Sequence, residues 1–320
     1  MTETPDEKRA AAGILGHVGG TPLVPLRRLG RGLAAPVLVK CEHLNPGGSV
    51  KDRIAVAIAD DAEARGLLTP GMTIVEATAG NTGVGLALVA AVRGYRLVCV
   101  LPEKMSADKR AALATLGAEV IVTPNAAPSS PDNFRRVAER LARERGWFLA
   151  DQFNNPANVE VHARTTAAEL LAQTGGTIGA FVAGAGTGGT ITGVARVLKR
   201  ACPKVQVVLA DPVGSGLAQW IETGTLGPDA PYAVEGIGAS EPPGNLDRSV
   251  IDAAERVSDA ESFATARRLI AEEGLLVGGS AGTNVAAALR VAARRGLAGP
   301  VVTVLPDGWD RYRSKGWLLG

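Results

Sequence analysis

Asn45-Pro46-Gly47-Gly48-Ser49-Val50-Lys51-Asp52-Arg53 is a turn that runs straight into a helix. The Asn-Pro-Gly-Gly turn leads to Ser49, a favoured N-cap, and Ile54, Val56, Ile58 and Ala62 then bury one helical face. Lys51, the only lysine between Lys40 and Lys104, therefore falls in a first helical turn. Unpaired N–H groups there carry the positive end of the helix dipole and disfavour a cation. A lysine so placed, if also sheltered from water, favours its neutral amine, as a Schiff-base lysine requires. Alone, the stretch reads more simply as a solvated lysine at a helix start. Three further loops bear on the choice.

On both sides of this stretch, short strands alternate with helices. Pro22 to Leu26 and Pro36 to Cys41 read as strands before it. Thr73 to Ala77, Arg96 to Leu101 and Ala118 to Thr123 read as strands after it, with helices Thr82 to Arg93 and Ser106 to Leu116 between them. That rhythm implies parallel strands with crossover helices. After a surface loop at Asn125 to Asp132 and a helix at Asn133 to Arg145, the series repeats. It gives helix Asn158 to Gln173, strand Ile178 to Ala183, helix Gly189 to Arg200 and strand Val205 to Asp211. Val213 to Arg248 is rich in Gly and Pro and reads as a mobile or oligomer-forming region. A strand near Val250 to Ala253, helix Ala260 to Glu273, a helix to Arg295 and strand Pro300 to Leu305 complete the chain. The expected division is an N-terminal α/β lobe at 45–150, a second lobe from 12–44 and 151–320, and a flexible tail at 1–11.

With 320 residues, the chain suits two domains of ordinary size. A 46% hydrophobic and 21% charged composition marks a globular protein, and a net charge of +2 gives no basic field for nucleic acid. The longest apolar run, Val84 to Val92, is glycine-broken and short of the ~18 residues of a membrane span. With no signal-like N-terminus, the expectation is a cytoplasmic protein without membrane contact. Cys41, Cys99 and Cys202 form no CxxC pair and read as reduced. His17, His43 and His162 are too scattered for a zinc site, so no metal is expected.

The first companion loop is Glu76-Ala77-Thr78-Ala79-Gly80-Asn81-Thr82-Gly83, between a strand end and a helix start, where open parallel sheets bind ligands. Its hydroxyls, amide and backbone N–H groups suit a substrate carboxylate, and helix capping by Asn81 or Thr82 is the plain alternative. The second is Ala183-Gly184-Ala185-Gly186-Thr187-Gly188-Gly189-Thr190, a phosphate cradle in which glycines bring the backbone close and threonines add hydroxyls. Gly184, Gly186 and Gly189 also fit the dinucleotide pattern GxGxxG, with Asp211 ending the next strand, but that reading leaves Lys51 unexplained. The third is Gly278-Gly279-Ser280-Ala281-Gly282-Thr283-Asn284, where Ser280 is a helix cap or a short polar contact to a ligand. An aldehyde for Lys51 and a phosphate for the threonine-glycine loop are satisfied by one ligand, pyridoxal 5'-phosphate.

The chain resembles the pyridoxal-phosphate β-replacement enzymes related to cysteine synthase and the catalytic core of cystathionine β-synthase. Lys40-Cys41-Glu42, the lysine loop, Gly186 to Thr190, Val234-Glu235-Gly236-Ile237-Gly238, Leu246-Asp247-Arg248 and Glu273 to Leu276 with Gly278 to Gly282 carry the likeness. It implies a two-lobed fold of the tryptophan synthase β-like type, the active site lying in the cleft. By the same likeness Lys51 forms the internal aldimine, Asn81 meets the ring hydroxyl, and Gly186, Thr187, Gly188, Gly189 and Thr190 hold the phosphate. Ser280 faces the pyridine nitrogen. Thr78, Ala79, Gly80, Thr82, Gln152 and Gly236 match substrate-binding positions. Ala79 stands where many relatives have serine. Phe153 resembles the cysteine-synthase side, whereas Val234 to Gly238 and Leu246 to Arg248 resemble cystathionine β-synthase. The likeness also implies a homodimer and a bare catalytic core, lacking the haem-binding extension and regulatory module of some relatives.

The implied reaction is β-replacement on serine or an O-activated serine by a thiol or sulfide, giving cystathionine or cysteine. Ala239, a small residue after the Gly236 to Gly238 turn, is expected to leave room for a nucleophile bulkier than sulfide. The alternatives are a serine or threonine dehydratase, a specialised β-replacement enzyme making a non-protein amino acid, and a non-catalytic protein that kept the fold.

Overall fold

The computed structural model describes residues 13–127 and 129–319. The tail expected at 1–11 lies outside them. Ten strands are present among the described residues: β1 (Leu23–Pro25), β2 (Val37–Lys40), β3 (Thr73–Ala77), β4 (Arg96–Pro102), β5 (Glu119–Thr123), β6 (Phe148–Leu149), β7 (Ala180–Ala183), β8 (Gln206–Pro212), β9 (Ala253–Val257) and β10 (Val301–Val304). They form two sheets, of order β5-β4-β3-β6 and β1-β2-β10-β7-β8-β9. All pairings are parallel except β1 with β2. Parallel strands need long crossovers, and the helices expected from the alternation supply them. No described helix is long and apolar enough to cross a membrane.

The chain divides into two compact units, one of Asn45–Ala157 with the described residues up to Val18, the other of Gly19–Leu44 with the rest of the chain from Asn158. In the first, all five residues of β3 are buried. Val75 and Ala77 pack with Val98, Val100, Val137 and Ala138, which joins β3 and β4 to the helix Phe134–Arg145. Asn133 is that helix's cap rather than its first residue, since its side chain accepts the Arg135 N–H at 3.1 Å. In the second unit, successive residues of β7 feed opposite faces. Ala180 and Val182 enter one apolar cluster, and Phe181 and Ala183 enter the other. A strand buried on both faces reads as a continuous apolar run, which is why its period is not 2.

Three expectations shift. The strand placed near Val250 to Ala253 begins only at Ala253, because Asp247 caps a tight turn at Arg248–Val250 by accepting the Ser249 N–H. The helix expected at Asn158 to Gln173 is interrupted by a π-helical turn at His162–Thr166. Val213 to Arg248 contains a helix, Leu217–Thr223, too short to show a sustained period. It is anchored by Asp211, whose carboxylate accepts the Ala218 N–H at 2.8 Å.

Lys40, the last residue of β2, is fully buried. Its ammonium donates to the Thr21 carbonyl at 2.6 Å and to Gln173 Oε1 at 2.8 Å, and pairs with Glu169 at 2.6 Å. Removing Glu169, whose side chain is 21% exposed, leaves the buried Lys40 ammonium without its counter-charge. Glu169→Ala is therefore expected to destabilise the protein by about 2 to 3 kcal/mol in urea unfolding, less than for a fully buried pair. A loss below about 1 kcal/mol would mean that the two neutral acceptors suffice.

Candidate functional site

The turn before Lys51 folds as its residues dictate. Gly47 donates its N–H to the Asp52 carboxylate, and a side chain at Gly47 would strike that carboxylate. The helix Lys51–Ala64 starts at Lys51, so Ser49 lies one residue outside the cap position. Its hydroxyl still accepts the Lys51 N–H at 3.2 Å. Lys51 is half-buried at the first helical position, where its own backbone N–H has a partner and the dipole acts on its side chain.

In the same unit, Gly80 is the N-cap of the helix Asn81–Arg93, and no side chain caps it. The plain alternative of capping by Asn81 or Thr82 fails, because both lie inside the helix. Thr78 and Thr82 are buried, while Ala79 is half-buried and Gly80 exposed. Gly80 donates its N–H to Thr78 Oγ1 at 3.3 Å. Gln152 is 5% exposed and belongs with this loop. Its Oε1 accepts from Thr82 Oγ1 at 2.5 Å, and its Nε2 donates to Glu76 Oε1 at 3.1 Å. Asp151 before it holds φ 48°, the left-handed region, which only this non-glycine residue among those described adopts. Arg135 stacks on the Phe153 ring, 4.2 Å from its centroid.

The threonine-glycine loop lies in the other unit, between β7 and the helix Gly189–Ala201. Gly188 is the N-cap in the left-handed conformation, φ 83°, again without a side-chain cap. The expectation that these glycines simply admit a phosphate needs correction. A side chain at Gly186 would strike the Gly236 carbonyl, at Gly188 it would meet Leu246, and at Gly189 it would strike Asn158. The missing side chains thus make room for the protein itself, and the amides at the uncapped helix start remain the anion-facing feature. Gly236, at φ 86°, meets this loop through its carbonyl. Asn158 Nδ2 donates to Thr187 Oγ1 at 3.0 Å, which leaves the Thr187 proton for another acceptor. Thr190 Oγ1 lies 3.1 Å from His162 Nε2, and His162 Nδ1 lies 2.9 Å from Thr166 Oγ1.

Ser280 is not a cap. Gly278 is the N-cap of the helix Gly279–Ala292, without a side-chain cap, and Ser280 lies inside that helix. It is 2% exposed, and its hydroxyl has no hydrogen-bond partner among the described residues. The hydroxyl can therefore both donate to and accept from a polar atom brought to it. Asn284, four residues on, accepts the Gly184 N–H at 2.7 Å and donates to the Val304 carbonyl at 2.9 Å, so it fixes the start of the threonine-glycine loop. Ala239 is half-buried and packs on the second apolar cluster, and its N–H and carbonyl both bond to the Ser215 hydroxyl.

Sequence reasoning passed over Glu76, Asn158, His162 and Asn284. Two signals were available: an acid inside the buried run of β3, and His162 four residues before Thr166, on one helical face.

The profile of the pyridoxal-phosphate dependent enzymes matches residues 14–307, and the chain belongs to that family. Its cofactor is pyridoxal phosphate. Cystathionine β-synthase of Oryctolagus cuniculus is 49% identical over 314 residues, 96% of this chain and 57% of that protein. Cysteine synthase of Staphylococcus aureus strain Mu50 is 44% identical over 298 residues, 93% of this chain and 94% of that protein. The crystal structure of O-ureido-L-serine synthase superposes with a TM-score of 0.88 at 42% identity, covering 96% of this chain and 95% of that one. The chain thus spans little more than half the length of the cystathionine β-synthases it matches. The uncapped helix start at Gly188, the free Thr187 proton and the unpartnered Ser280 hydroxyl fit an anionic group and a ring nitrogen.

If Asn158 orients Thr187 for an anion, Asn158→Ala should weaken retention of pyridoxal phosphate by about tenfold, the worth of one hydrogen bond. Cofactor dissociation followed by absorbance on dilution tests this. Unchanged retention would make the Asn158 bond purely structural.

Proposed function

We propose that the protein catalyses β-replacement on serine or an O-activated serine by a sulfur nucleophile. The observation that carries this reading is the Thr78 to Thr82 loop with Gln152: a helix start left without a side-chain cap, surrounded by buried hydroxyl and amide groups, in a family whose relatives here are named for cystathionine and cysteine synthesis. Lys51 is assigned to the cofactor's aldehyde, Asn81 to its ring hydroxyl, Gly186 to Thr190 to its phosphate and Ser280 to its ring nitrogen. Thr78, Ala79, Gly80, Thr82, Gln152 and Gly236 are assigned to the amino-acid substrate.

Pyridoxal phosphate, when bound, supplies an electron sink for charge developing at the substrate Cα. Lys51 removes the Cα proton and returns it to the same atom once the nucleophile has added at Cβ. The Ser280 hydroxyl, being neutral, cannot hold the ring nitrogen protonated as a carboxylate would. The weaker sink that results favours loss of the Cβ substituent over transamination. The nucleophile assigned is homocysteine or a comparable thiol. Val234 to Gly238, Leu246 to Arg248 and the 49% identity to a cystathionine β-synthase support that choice. A homodimer is proposed from the same likeness. The likeness to O-ureido-L-serine synthase supports a second reading, a non-sulfur nucleophile giving a specialised amino acid.

Serine, O-acetylserine and O-phosphoserine, each paired with sulfide or homocysteine and read by product mass, should yield a thioether with homocysteine. Cysteine without thioether would reverse the choice of nucleophile, and keto acid with ammonia regardless of thiol would make the protein a dehydratase. Ala79→Ser adds one hydroxyl beside a charged ligand, worth about 1.5 to 3 kcal/mol. It should tighten amino-acid binding by roughly ten- to a hundredfold in spectral titration. No change for any accepted substrate would mean that Ala79 only fills space.

A further inference from the structure

Glu76 is the one acidic residue of β3, and it is 1% exposed. Its neighbours Val75 and Ala77 turn to the face covered by the helix Phe134–Arg145, so Glu76 turns to the other. There it meets Gln152, which in turn meets Thr82. The direction of this chain matters. Thr82 donates its single proton to Gln152 Oε1, and Gln152 Nε2 donates to Glu76 Oε1, so the Thr82 hydroxyl can only accept from anything else. An arriving carboxylate is also an acceptor. The observed direction therefore withholds Thr82 from it.

We propose that Glu76 is a positioning residue whose protonation reverses the Glu76–Gln152–Thr82 chain and so couples binding of a substrate carboxylate to the uptake of one proton. The proposal rests on the assignment of Thr82 and Gln152 to that carboxylate. With a proton from solvent, Glu76 becomes a donor to Gln152 Oε1. The Gln152 carboxamide turns over, its Nε2 donates to Thr82 Oγ1, and the Thr82 proton is released toward the ligand. The Glu76–Gln152 and Gln152–Thr82 contacts are kept in both directions, and Glu76 Oε2, which is buried without a partner in the observed one, is a free place for the added proton.

The setting holds the two states close in energy. Burial pushes the Glu76 carboxyl up to about 7, and the Asp151 charge adds to the rise, while the Gln152 side chain and the backbone amides of Gln152 and Asp151 hold it down. Other charges stand clear of it. Cys99, its register partner on β4, is pushed by burial to about 12 and stays neutral. Strand β6 brings only Phe148 and Leu149. The charges of the helix Phe134–Arg145 belong to the opposite side of the sheet. Arg93, the charged residue of the helix Asn81–Arg93, is at its far end, paired with Asp60 and Glu63. As pH rises through about 7, unliganded Glu76 loses its proton and the chain takes the withholding direction. Carboxylate affinity then falls by up to about tenfold per pH unit.

The test titrates the cofactor-loaded protein with L-serine between roughly pH 6 and 9, in wild type and Glu76→Gln. A glutamine at this position can donate to Gln152 at every pH and does not titrate. The ligand's ammonium affects both proteins alike and cancels in their ratio. Wild-type affinity should fall relative to the variant above about pH 7, and L-serinamide, which has no carboxylate, should show a flat ratio. In parallel, the infrared difference spectrum of wild type on adding L-serine above neutral pH should gain a protonated carboxyl band, and this measurement stands even if the variant does not fold. A flat ratio for L-serine, or no such band in wild type, overturns the proposal. The same pH dependence with L-serinamide would leave Glu76 titrating but sink the carboxylate assignment, and with it the coupling.

Discussion

The feature on which the ligand-assigned loops depend is the way three helices begin. The helices at Asn81–Arg93, Gly189–Ala201 and Gly279–Ala292 are each N-capped by glycine, Gly80, Gly188 and Gly278, and none receives a side-chain cap. Three other helices are capped: Ser106, Asn133 and Ser258 each accept a backbone N–H from the helix they start. A missing cap costs about 1 kcal/mol, and it leaves the positive end of the helix available to an anion. A bare start is not by itself a mark of a ligand, since the short helix Leu217–Thr223 also begins at a glycine, Gly216, without a side-chain cap.

Behind two of these starts, at Gly80 and Gly188, buried polar side chains set the direction of the hydroxyls in front. Asn158 donates to Thr187, His162 meets Thr190, and Gln152 links Thr82 to Glu76. A hydroxyl with one proton is a donor or an acceptor according to what stands behind it, so these supporting residues determine what each loop can bind. The glycines serve the same end from another side. Gly186, Gly188 and Gly189 allow Gly236, Leu246 and Asn158 to close on the loop, which turns a flexible sequence into a packed one.

Much of this was legible in the sequence because it is local. Alternating strand and helix patterns gave both parallel sheets, β3 falls at Thr73–Ala77 as its apolar run predicts, and Lys51 occupies a first turn as its Pro-Gly-Gly-Ser lead-in requires. What escaped was long-range. The residues around Ser280 left it as a cap or a ligand contact, and only the folded helix excludes the cap, because Gly278 takes that position. Ala239 packs partly against a core built from residues far along the chain, which its sequence neighbours do not show. The π turn at His162–Thr166 leaves no trace in hydrophobic period, since it shifts a helix by one residue without breaking it.

All of the chemistry assigned to this protein passes through one amine, so its identity is the most direct point of attack. Pyridoxal phosphate should be reduced onto the purified protein with borohydride and the modified peptide sequenced by mass spectrometry. The account predicts the cofactor's mass on Lys51, and none after Lys51→Ala. Label on Lys40, Lys104 or any other lysine would contradict it.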